Sequence, residues 1–204
     1  MPPKAKFSKE EIVTTALAMV KQQGIEALTA RSLAKELGSS ARPIFTVFAS
    51  MEEVQAEVRN AAMKVFESYA ESAAEYTPAF KQIGIQMIQF ANREPKLFQL
   101  LYMQKHNDSK CFEEHLKYLG DTGELCLTML EQEYALNRTE AVALFKQVWI
   151  FTYGICVLCA TGACRFDEKE IQEMLSREFM SMLALIKSGR LETCEVLPEK
   201  KTVR

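Results

Sequence analysis

The chain has 204 residues, of which 48% are apolar and 25% charged, with only 8 Gly and 6 Pro. These values exclude a wholly disordered, collagen-like or low-complexity chain, and the length suffices to bury a core without metal or disulfide staples. The formal net charge of −2 argues against a strongly basic nucleic-acid binder, yet residues 1–50 carry seven Lys/Arg against four acids, about +3, leaving about −5 for the remainder.

In chain order, hydrophobic period and punctuation predict nine helices and no strand. Ser8 with Glu11 forms a capping box, Phe7 and Ile12 a hydrophobic staple, and Gly24 stops the first helix. Thr29 caps a short helix that Gly38 ends, and Ser39 or Ser40 caps another running to about Val47. Pro43 falls in the first turn of that element, where a missing N–H is tolerated. Ser50 with Glu53 opens a long helix that ends by Tyr76, Pro78 opens one to about Ala91, and Pro95 one to Met103. A helix from about Asp108 to Glu133 follows. Asn137 with Glu140 opens one to Ala163, and Asp167 with Glu170 opens the last, ended by Gly189.

The uncharged run from Gln147 to Cys164 is 18 residues long, the lower limit for a membrane span. It holds Gln, Thr, Tyr and Gly and has no second span beside it, so it reads as a helix buried in protein rather than in a membrane. Lys4 and Lys6 lead into an amphipathic segment and not an apolar signal core, so a cytoplasmic location with reduced thiols is expected. Cys156 and Cys159 form a Cys-x-x-Cys in mid-helix, away from the helix start that activates redox pairs, and read as small buried hydrophobes. Cys111, His115 and His106 lack further ligands for a metal site. No catalytic triad, phosphate-cradling loop or paired carboxylate stands out, so neither an enzyme nor a cofactor is expected.

The informative stretch is residues 29–48, TARSLAKELGSSARPIFTVF. Ala34 is small enough for a close helix crossing, Gly38 suits a tight turn, and Ile44 plugs the second helix. Leu33 and Leu37 supply the inner face of the first. The second helix would present its N-terminal end, with free N–H groups, to a phosphate or base edge.

This stretch resembles the DNA-binding domain of the tetracycline-repressor (TetR) family of transcriptional regulators. The matching residues are Thr29, Arg31, Leu33, Ala34, Gly38, Ser40, Phe45 to Phe48, and Ser50 to Glu53. Residues 149–154 (WIFTYG) resemble the dimerisation helix of many members. Phe45 and Met51 stand where the family often has Tyr and Lys, both phosphate contacts. Arg31, Arg42, Lys6 and Lys9 would compensate for that loss.

The resemblance implies an all-α, nine-helix TetR-like fold. A helix-turn-helix DNA-binding domain would span 1–50, a ligand-binding and dimerisation domain 51–190, and a polar tail 191–204. It implies a repressor that binds a palindromic double-stranded operator as a homodimer, through helices 138–163 and 167–188, and is released by a small apolar or aromatic effector. Arg31, Ser40, Ala41, Arg42, Thr46, Lys6 and Lys9 are the expected DNA contacts. Phe66, Tyr69, Met87, Phe90, Tyr102, Met103, Trp149 and Tyr153 are the expected pocket residues, being large and adaptable. Phe45 and Phe48 are expected in the core. The alternatives are an all-helical protein-interaction module and a thiol-dependent sensor using Cys156 and Cys159.

Overall fold

The computed structural model describes residues 6–71, 79–104, 112 and 120–190. Among these the regular structure is all helical: α1 (Lys9–Gln23), α2 (Ala30–Glu36), α3 (Met51–Glu71), α4 (Ala79–Arg93), α5 (Pro95–Tyr102), α6 (Gly120–Tyr134), α7 (Arg138–Ala160) and α8 (Glu168–Lys187). The seventh expected helix is described only from Gly120, and the polar tail 191–204 lies outside the described residues.

Local chemistry sets most helix starts. Ser8/Glu11, Asn137/Glu140 and Asp167/Glu170 each close a reciprocal capping box, and Thr29 does so with Ser32. The box expected at Ser50 is only half formed. The Ser50 hydroxyl accepts from the Glu53 N–H at 3.4 Å, while the Glu53 carboxylate accepts from the Ala49 N–H at 2.7 Å. Gly24 (φ 87°) and Gly38 (φ 60°) turn the chain in the left-handed half of backbone space, where a side chain is strained.

One expected helix is absent. Between Ser40 and Phe48 the backbone makes a 3-10 turn over Ile44–Thr46 and no α-helix. Pro43 supplies no N–H and biases Arg42 away from α conformation. The segment therefore closes by three-residue steps: Ile44 N–H to Ala41 O at 3.1 Å, Thr46 N–H to Pro43 O at 3.3 Å and Val47 N–H to Ile44 O at 3.1 Å. No α-helix N-terminus forms here, contrary to the expectation.

Two apolar clusters hold the molecule together. The first runs without a break from α1 and α2 through Ile44 and Phe48, along α3, and into α4, α5 and the far half of α7. It crosses the 50/51 boundary, so the head has no core separate from the body. The second lies at the opposite end of the body, among Phe80, Leu130, Leu144, Phe145, Phe179 and Leu183. The head is tied to the body at α5 as well: Lys21 Nζ meets Glu94, the residue just before α5, at 2.7 Å. Gln99 Nε2 then ties α5 to α7 by donating to the Ala160 carbonyl at 2.6 Å.

By length and composition α7 could span a bilayer, with a mean hydropathy of 1.7. It packs instead against α4, α6 and α8 within the helical body. Its outer side is open, with Ile150 and Leu158 exposed by 48% and 39%.

Candidate nucleic-acid interface and ligand cavity

The segment 40–48 buries two apolar anchors and exposes most of its other side chains. Ile44 is fully buried and Phe48 nearly so, whereas Ser40, Arg42, Phe45 and Thr46 are exposed. Phe45 corrects the expectation of a core residue: it is 46% exposed. A 3-10 turn places residues three apart on one side, so burying Ile44 through Val47 and Phe48 leaves Phe45 beside Arg42 on the outside.

The expected DNA contacts separate into distinct environments. Arg31 and Arg42 are exposed and make no ion pair among the described residues. Lys6 Nζ donates to Ser39 Oγ at 3.0 Å, which sets its charge beside the turn. Lys9 is occupied differently: it pairs with Glu57 at 2.9 Å and lies over the Phe48 ring at 5.7 Å, stitching α1 to α3. The Thr46 hydroxyl donates to Pro43 O at 2.6 Å, and Ala41 packs against the core cluster. Arg31, Arg42 and Lys6 thus supply the accessible cationic groups among the seven, and Ser40 an open hydroxyl.

The body holds a cavity of about 150 Å³, lined by residues of α3, α4, α5, α6, α7 and α8. It sits at the seam of the two apolar clusters. Met87 and Leu175 belong to one, and Phe80, Cys126, Phe145, Val148 and Phe179 to the other. Gly84 carries α4 close to α7 and α8 at this seam, where an added Cβ would lie 3.5 Å from Leu175 Cδ1 and 3.7 Å from Thr152 Oγ1.

Of the expected pocket residues, Phe66, Met87, Tyr102 and Trp149 line the cavity. Tyr69 and Phe90 stack edge-on at 5.5 Å in the first cluster, and Met103 is exposed by 36%. Tyr153 stands behind the lining: its ring stacks on Trp149 at 5.1 Å, and its hydroxyl donates to the Tyr102 carbonyl at 2.9 Å. Met63, Phe80, Lys81, Thr152 and Phe179 line the cavity as well and were not expected there from the sequence. The available signal was Lys81 and Gly84 interrupting the apolar side of an amphipathic helix.

Burial dominates the electrostatics of this region. It pushes the Tyr102 hydroxyl far above its ordinary range and the Cys126 thiol up to about 12. Burial also raises Cys156 well above a free thiol, with the neighbouring Cys159 adding to the effect, and raises Cys159 itself. Both are therefore poor nucleophiles. Native-state alkylation at neutral pH, read by mass spectrometry, should modify Cys156 and Cys159 at least about tenfold more slowly than the half-exposed Cys164. Preferential labelling of the mid-helix pair would restore the thiol-sensor alternative. Among the described residues no group of three or more His, Cys, Asp or Glu could hold a metal ion.

The all-α architecture, with a three-element head, a linking α3 and a helical body around a cavity, is the fold of TetR-family regulators. The chain is similar in structure to a Mesorhizobium loti MAFF303099 protein described as a TetR-family transcriptional regulator. Their TM-score is 0.53 at 17% identity, over 87% of this chain and 95% of that one. It is also similar to the ketosteroid transcriptional regulator KstR2 of Mycobacterium tuberculosis (TM-score 0.49, 12% identity, 89% and 95% covered). A third similar structure is apo ActR from Streptomyces coelicolor (0.49, 16%, 92% and 100%). No family model and no curated protein matches the sequence.

Proposed function

We propose that the chain is a cytoplasmic, non-enzymatic transcriptional repressor that binds a palindromic operator as a homodimer and releases it when a small molecule occupies the body cavity. The reading is carried by the turn that bears the exposed Arg42, fixed by Ile44 to the same continuous core whose far edge forms part of the cavity wall. Residues 1–50 would engage DNA and 51–190 would bind the effector and pair the copies.

The second copy would cover α7 and α8. The outer side of α7 carries Ala143, Gln147, Ile150, Gly154 and Leu158 at helical spacing with no charge, and Met180 of α8 is 60% exposed. A two-fold interface there would set two turns against successive major grooves. The effector would favour a dimer whose heads are wrongly spaced.

Selection from random duplex DNA followed by binding measurements at several salt concentrations tests the reading. A palindromic consensus with steep salt dependence is expected; purely non-specific binding, or none, would refute it. On the selected site Arg42→Ala should cost about 1–3 kcal/mol if the guanidinium reads a base. An equal loss on scrambled DNA would reassign Arg42 to phosphate.

A further inference from the structure

We propose that the cavity takes a small aromatic or aliphatic carboxylate, with its anionic end met by Lys81 and its apolar end enclosed by Phe80, Phe145 and Phe179. This rests on reading the cavity as the effector site and specifies what that site selects. Its volume of about 150 Å³ is that of a cavity which holds a single benzene-sized ring. The lining is otherwise largely apolar, and Lys81 is the one charged side chain among the described lining residues.

Lys81 is half-buried and makes no ion pair or hydrogen bond among the described residues. A half-buried ammonium without a counter-charge favours an anion over a neutral or cationic occupant. Tyr102, also in the lining, feels the negative charge of Glu67, so the attraction for an anion comes from Lys81. The Thr152 hydroxyl is already committed to the Val148 carbonyl at 2.7 Å and contributes no donor. One ammonium matches the single charge of a carboxylate. A larger polyanion such as a phosphate ester would leave oxygens facing phenyl rings.

The full-length chain is titrated calorimetrically with benzoate, phenylacetate, 3-phenylpropionate and octanoate, each beside its primary amide, and with phenethylamine. At least one acid should bind about tenfold or more tightly than its amide, since a charge-assisted hydrogen bond replaces a neutral one. Lys81→Met should erase that preference and leave amide binding unchanged, while Lys81→Arg should keep it. Lys81 has no ion-pair partner among the described residues, so the ligand-free melting temperature of Lys81→Met should match the wild type. If that variant fails to fold, the wild-type acid-to-amide ratio decides alone. Equal affinities, preference for phenethylamine, or no binding by any acid at millimolar concentration would overturn the proposal. No DNA enters this measurement, so a chain that binds acids but no operator refutes only the regulator reading. An operator-binding chain that ignores acids refutes only this one.

Discussion

Ile44→Ala should destabilise the protein by about 2–5 kcal/mol, the range for truncating a fully buried aliphatic side chain, and should abolish sequence-specific DNA binding. Ile44 is the hinge pin of the turn: it accepts two of the hydrogen bonds that close the segment, from Val47 N–H and Phe48 N–H, through its carbonyl. Its side chain is held in the cluster that contains Leu33, Ala34 and Phe48. With that anchor shortened, Arg42 loses its fixed position. The adjacent Phe45→Ala is the control: at 46% exposure it should change stability by no more than about 0.5 kcal/mol. Urea unfolding midpoints of the two variants check this. Equal losses, or a larger loss at Phe45, would mean that the turn is out of register by one residue.

The second large effect concerns the pairing of copies. The double variant Ile150→Glu, Leu158→Glu should convert a dimer at micromolar concentration into monomers and weaken binding to a two-half-site operator more than about 100-fold. Both side chains are exposed in the single chain, so neither change should unfold it. In a two-fold interface each new carboxylate is duplicated close to the axis, and an unpaired buried charge costs about 3–5 kcal/mol. Sedimentation velocity and far-ultraviolet circular dichroism read the two halves of this expectation. A variant that stays dimeric, or a wild type already monomeric, would move the interface elsewhere or remove it.

Helix starts were legible because they depend on groups three residues apart: Asn137 with Glu140 and Asp167 with Glu170 form the boxes that their spacing implies. The recognition element was less so. Helical spacing and an Ser40 cap favour a helix, while Pro43 opposes one, and in so short a segment the missing N–H and the constraint on Arg42 prevail. The same shift to three-residue steps turned Phe45 outward while Phe48 stayed inside. In the body, the aromatic content showed that large side chains fill the interior but not which ones border the cavity. Met87 and Phe90 lie three apart on α4 and are both buried, yet only Met87 faces the seam. That difference arises from how α4 is set against α7 and α8 at Gly84, a tertiary relation without a local sequence signature.

The placement of α5 has a mechanical consequence. It is a rod of eight residues, about 12 Å long. Its last residue, Tyr102, borders the cavity, and the residue that caps its start, Glu94, is paired with Lys21 of the head. So short a lever has almost no length over which to bend. Sideways travel of about 1 Å at the tyrosine end becomes a tilt of about 5° at the end paired with the first helix.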